Sequence, residues 1–203
     1  MLFVHRLYIL KIMNFSQLLA LDQNFAVWIN QTCSNIIFDI FFPIYTDLHK
    51  NIYIALSLIC LILYSFIRKY KKFGGIHFLF LLLALGTNDF IGSFIKNRVD
   101  RQRPFANSQL LITQRSAANP NKSFYSNHAS NTFTAAYFVG QLFPQGKIIY
   151  FGLAGLVAFS RVYNGVHYPS DVIAGAFVGL LMGFIFIRLS QKTFHYAYRK
   201  NYP

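Results

Sequence analysis

His167 and Asp171 stand four residues apart in the segment SRVYNGVHYPSD, Ser160 to Asp171. On a helix that spacing puts both side chains on one face. An aspartate beside an imidazole fixes its tautomer and stabilises the imidazolium, which leaves the other ring nitrogen free to attack. Arg161 precedes His167 across a turn at Gly165 and offers a guanidinium fork matched to phosphate oxygens. Pro169 suits the first turn of a helix, where its missing N–H costs nothing.

Two further polar segments carry matching chemistry. In SFYSNHAS, Ser123 to Ser130, Ser126 and His128 sit where an apolar run opens at residue 129. Backbone N–H groups at a helix N-terminus favour an anion. A histidine with an ordinary pKa of about 6.5 can protonate a departing oxygen near neutral pH. In KNRVDRQRP, Lys96 to Pro104, the cations Lys96 and Arg103 would join Arg161 in neutralising a transferring phosphoryl group. That task is mostly electrostatic.

Elements must bring residues 96, 128 and 167 to one place. The chain has 203 residues, 55% of them hydrophobic and only 12% charged. Soluble domains carry roughly twice that share of charge. Apolar runs at about 51–67, 76–95, 129–144, 147–163 and 171–189 alternate with short polar stretches. Each approaches the roughly 20 residues that a membrane-crossing helix needs. The expected fold is an all-α polytopic membrane helix bundle of about six transmembrane helices. Residues 15–47 are apolar but broken by Asn, Gln, Asp and Pro43. They read as a first span or, alternatively, as two short helices lying in the interface. Residues 1–14 read as an N-terminal extension, 15–190 as the membrane domain and 191–203 as a cytoplasmic tail. Met13 is a candidate start, and no cleavable signal peptide is expected.

The cluster Arg68, Lys69, Lys71 and Lys72 and the C-terminal Arg188, Lys192, Arg199 and Lys200 belong on the cytoplasmic side by the positive-inside rule. Each of the three polar motifs then falls at the outer end of an apolar helix. The basic residues of 96–128 and 160–171 run against that rule, and a bound anion would explain them. A net charge of +13 on so apolar a chain points to membrane lipid and phosphate rather than nucleic acid.

There is no glutamate and there are only six aspartates. Paired-carboxylate chemistry and HExxH metal sites lose most of their raw material. Cys33 and Cys60, the only cysteines, are expected to be small core residues, and no zinc spacing occurs. His5, His49, His77 and His195 lie outside the motifs and are expected to be structural. Arg98, Arg101, Arg115 and Lys122 read as solvated charges or lipid-phosphate contacts. Asp89, inside an apolar span, is expected to make a buried hydrogen bond to Thr87 or to a neighbouring helix.

The three motifs together resemble the type 2 phosphatidic acid phosphatase superfamily, whose pattern is K-x6-RP, PSGH and SR-x5-H-x3-D. Lys96 with Arg103–Pro104 matches the first, and Ser160–Arg161, His167 and Asp171 match the third at every spacing. The resemblance implies a phosphohistidine mechanism without metal or other cofactor. His167 attacks phosphorus, Asp171 supports it and His128 protonates the leaving group, while Lys96, Arg103, Ser126 and Arg161 hold the phosphate. It also implies a multi-pass protein of the inner (plasma) membrane with its site facing the periplasm, acting on a lipid phosphate or diphosphate. Undecaprenyl diphosphate is the favoured substrate. Lipid A phosphatase, phosphatidylglycerophosphatase, lipid phosphotransferase and non-catalytic lipid-binding protein are the alternatives. The second motif departs from the pattern, with Tyr125 for proline and Asn127 for glycine. Asn is the residue best able to replace a glycine at positive φ.

Overall fold

The computed structural model describes residues 14–201. His5, Met13 and the side chain of His49 lie outside the described residues. Among the described residues seven α-helices follow one another: α1 Phe15–Val27, α2 Ile36–Asp47, α3 Ile52–Tyr70, α4 Gly74–Val99, α5 Asn127–Leu142, α6 Lys147–Tyr163 and α7 Pro169–Asn201. Local chemistry starts most of them. Asn14 and Gln17 form a capping box before α1, and the side chains of Asn35, Asn51 and Ser126 cap α2, α3 and α5.

The five expected apolar runs become α3 to α7. Two stretches, Ile52–Ala106 (which joins α3 and α4) and Pro169–Lys200, are long and apolar enough to cross a membrane, with mean hydropathy 1.8 and 2.3. At 16 and 17 residues, α5 and α6 each rise roughly 25 Å. The region 15–47 takes the two-helix form rather than that of one continuous span. α1 runs into a π-helical turn at Trp28–Thr32, and the chain then breaks at 33–35 before α2. The break is held from outside: Asn30 Nδ2 donates to the carbonyls of Thr113 and Tyr163, and Thr113 N–H donates back to Asn30 Oδ1. The outward face of α2 is apolar, with Ile36, Ile37, Ile40, Phe41 and Ile44 all exposed.

α5 is the axis of the bundle and packs against α4, α6 and α7. Its contact with α7 depends on small residues. A Cβ at Gly175 would fall 2.5 Å from the Ser126 carbonyl, one at Gly179 would collide with that of Ser130, and one at Gly183 would lie 2.9 Å from that of Thr134. Repeating every fourth residue, these glycines let two backbones touch, the usual basis of helix association where water gives no hydrophobic drive. Cys60 departs from expectation: it is exposed on the apolar surface of α3, and Cys33 is half-buried. α7 also runs three turns past its apolar stretch. Phe194 packs there on Tyr70, Phe73 and His77.

Candidate active site

Arg161 closes α6 and His167 opens the approach to α7. The turn between them needs Gly165 at φ +74°, where a Cβ would strike Ile112 and the Thr113 carbonyl. The N–H groups of Val166 and His167 both donate to the Arg161 carbonyl, which folds the loop onto the end of α6. His167 is thereby 2% exposed and Asp171 fully buried.

The expected pair forms. His167 Nδ1 lies 3.5 Å from Asp171 Oδ2, a long contact that Ser123 Oγ also shares at 3.5 Å. On the other side of the ring, Arg103 Nη1 donates to His167 Nε2 at 3.0 Å and to the Val166 carbonyl at 2.6 Å. A guanidinium has no acceptor, so Nε2 must present its lone pair and Nδ1 must carry the proton. Burial pushes the His167 pKa down to about 3 despite the hydrogen bond that Nδ1 donates to Asp171, which opposes it. The ring is held neutral, in the tautomer that aims Nε2 at the cations.

Besides His167, three groups set Asp171. Ser123 Oγ donates to Oδ2 at 2.5 Å, Tyr168 N–H donates to the same oxygen at 2.9 Å, and Arg101 Nη1 donates to Oδ1 at 2.6 Å. Burying an ion costs several kcal/mol. Hydrogen bonds to a charged group return roughly 1.5–3 kcal/mol each, so three of them offset that cost. Arg101 also stacks 4.0 Å from the Tyr168 ring centroid and pairs through Nη2 with Asp22 at 2.7 Å. Asp22 in turn accepts from the Ser170 N–H at 2.8 Å, which caps the first turn of α7 from α1.

The remaining expected residues lie around this core. Ser126 caps α5, and its N–H donates to the Asp171 carbonyl at 3.1 Å. His128 is the second residue of α5 and half-buried. Lys96 near the end of α4 donates to Asn127 Oδ1 at 2.7 Å. Arg161 donates from Nη1 to Thr46 Oγ1 at 2.9 Å. Its Nε is buried and has no hydrogen-bond partner among the described residues. Direct side-chain contact thus joins Arg103, His167 and Asp171, while Lys96 and Arg161 reach out to other elements.

Several expectations change. Asn127 does not take up positive φ; it is the first residue of α5. Tyr125 is buried, its hydroxyl donating to the Asn88 carbonyl at 3.4 Å. Asp89 is exposed, with neighbouring-helix partners Asn127 and Asn131 and no bond to Thr87. Arg101 and Arg115 are paired rather than solvated, Arg115 with Asp39 at 2.7 Å, and Lys122 donates to Asn97. Ser123, Arg101, Asp22 and Thr46 are the site's contributors that spacing alone does not reveal. Ser123 and Arg101 had a signal in their places within the second and first motifs, whereas Asp22 and Thr46 had none.

The PAP2 superfamily model matches residues 77–195, which contain all three motifs. The chain belongs to the PAP2 superfamily. It is 33% identical over 126 residues to phosphatidylglycerophosphatase B of Bacillus subtilis, covering 56% of this chain and 58% of that one. It is 39% identical over 73 residues to undecaprenyl-diphosphatase BcrC of the same organism, covering 34% and 36%. The chain thus spans less than two thirds of either relative. Among solved structures, a transmembrane PAP2-type phosphatidylglycerolphosphate phosphatase from Bacillus subtilis superposes with a TM-score of 0.69 at 26% identity, covering 94% of both chains. The PAP2 assignment expected from the motifs and the membrane helix bundle expected from the apolar runs are borne out.

Proposed function

We propose that this chain is an integral membrane phosphatase acting on a lipid phosphate or diphosphate, with undecaprenyl diphosphate as the favoured substrate. The observation that carries the reading is the state of His167: buried, neutral, with Nδ1 facing Asp171 and the Nε2 lone pair beside Arg103. Nε2 attacks phosphorus, forming an N–P bond as the bond to the leaving oxygen breaks. His128 gives that oxygen its proton, and undecaprenyl phosphate departs. Asp171 offsets the positive charge left on the ring, while Lys96, Arg103, Ser126 and Arg161 hold the phosphoryl oxygens. Water then attacks phosphorus and yields its proton to His128, the N–P bond breaks and phosphate is released. No step calls for a metal.

The similarity to undecaprenyl-diphosphatase BcrC supports the substrate. The longer match to phosphatidylglycerophosphatase B, together with the solved structure of that type, carries phosphatidylglycerophosphate as a second reading. The clusters around Arg68–Lys72 and Arg188–Lys200 support a cytoplasmic position for the opposite end, and hence a site opening to the periplasm. The deciding experiment measures phosphate release by the purified protein from undecaprenyl diphosphate, phosphatidylglycerophosphate and lipid A, with EDTA present. Release from at least one, lowered by at least about 10³-fold in His167→Ala, is the expected result. Equal release by His167→Ala, or strict metal dependence, overturns the mechanism.

A further inference from the structure

Asn127 stands where the family pattern carries glycine, and its amide is engaged at both ends. Lys96 Nζ donates to Asn127 Oδ1 at 2.7 Å. Asn127 Nδ2 donates to Asp89 Oδ1 at 3.1 Å, and Asn131 Nδ2 donates to the same oxygen at 2.9 Å. Space for the amide comes from Gly92, between Asp89 and Lys96 on α4. A Cβ there would collide with Asn127 Oδ1 and lie 2.9 Å from Nδ2. Asp89, Gly92 and Asn127 thus form one fitted unit that presents Asn127 Oδ1 to the Lys96 ammonium.

A primary amide has one acceptor end and one donor end. With Nδ2 committed to the Asp89 carboxylate, Oδ1 has to face Lys96. The amide also keeps Lys96 from pairing directly with Asp89. A bond from an ammonium to a neutral carbonyl is weaker than one to an anionic oxygen. An incoming phosphate can therefore take Lys96 from Asn127, whereas an ion pair with Asp89 would compete with it.

We propose that Asn127 and Asp89 are positioning residues for Lys96, a relay that holds the ammonium ready and yields it to phosphate. The inference rests on the reading of Lys96 as a phosphate ligand. It makes a counter-intuitive claim: restoring the family's glycine at 127 should harm this protein, because Lys96 can then fall onto Asp89.

The test uses the full-length protein in lipid nanodiscs, with turnover of undecaprenyl diphosphate and the thermal shift produced by inorganic vanadate as separate readouts. Asn127→Gly should raise KM and weaken vanadate binding by about tenfold, with kcat changed less. Adding Asp89→Asn in that background should restore both towards wild type, which loss of packing alone would not do. Gly92→Ala, which displaces the amide, should resemble Asn127→Gly. The proposal is overturned if Asn127→Gly matches wild type in KM and vanadate binding, or if Asp89→Asn does not rescue it. Vanadate binding reads the relay even without lipid turnover. Inactive His167→Ala beside an unaffected Asn127→Gly would sink the relay alone.

Discussion

At the site end of the bundle, Arg101, Arg103, Arg115 and Arg161 lie among aspartates: Arg101 touches Asp22 and Asp171, Arg115 touches Asp39, and Arg161 approaches Asp47 at 4.0 Å. At the opposite end the cations have none. No acidic residue occurs in 63–77, 140–150 or 184–203. Lys69 there donates to the Leu142 carbonyl and lies 4.8 Å from the Phe143 ring centroid, Lys72 sits over Phe73, and Arg188 over Phe184. The same helices, α4, α5 and α7, reach both ends. Carbonyls and ring faces suffice to hold a cation in place, at roughly 0.5–1 kcal/mol for an exposed cation–π contact. The carboxylates are concentrated where cations crowd one another and one imidazole needs a fixed tautomer. Charge removal should therefore act on turnover at one end and on stability alone at the other.

The largest effect that would break this contrast is at Asp171. Asp171→Asn keeps the shape but loses the charge that orients His167, and phosphate release should fall on the order of 10³-fold. Because burial holds the neutral ring down to a pKa of about 3, His167 should impose no acid-side loss in kcat/KM of the wild type between about pH 6.5 and 4. An acid limb near the ordinary histidine value that vanishes when the ring's surroundings are changed would contradict the proposed role of His167 as a buried, neutral nucleophile.

Arg101 comes next. Arg101→Met strands Asp171 without its guanidinium and also unties Asp22 of α1 from α7. A drop of about 10²-fold in kcat is expected, with a fall in melting temperature corresponding to about 1–3 kcal/mol, since Arg101 is partly exposed. Asp22→Asn removes one arm of the same bridge and should lose less of both. Equal loss from the two variants would mean that the bridge to α1, rather than the charge beside Asp171, is what matters.

How far the sequence foretold these two ends depends on the range of each interaction. His167 and Asp171 were legible because four residues on one helix is a local spacing, and α3 to α7 because membrane helices need long apolar runs. A two-helix form of 15–47 was one of the two readings open, but the place of its break at 33–35 was not legible, since Asn30 fixes it by bonding to residues 113 and 163. Arg101 looked like a solvated charge for the same reason: its partners lie 79 and 70 residues away. The relay at Asn127 was half-legible. The departure from glycine stood out, but its explanation needed Gly92 and Asp89 from another helix. At the far end, the polar tail hid three further turns of α7, because hydropathy marks where a helix leaves the hydrocarbon rather than where it stops.

The smallest expected effect sharpens the contrast from that far end. His77 is 1% exposed, with Nδ1 2.7 Å from Ser190 Oγ and Tyr70 and Phe194 against the ring. It is buried, polar and a histidine, the same description that fits His167. What it lacks is a carboxylate on one nitrogen and a cation on the other. His77→Leu should leave kcat and KM within about twofold while lowering stability by about 1–3 kcal/mol, the cost of stranding a buried hydroxyl. The measurement pairs thermal melting with phosphate release on the same preparation. A loss of turnover without a loss of melting temperature would show that burial and a histidine are enough to couple a residue to the chemistry, and that the distribution of carboxylates is not what separates the two ends.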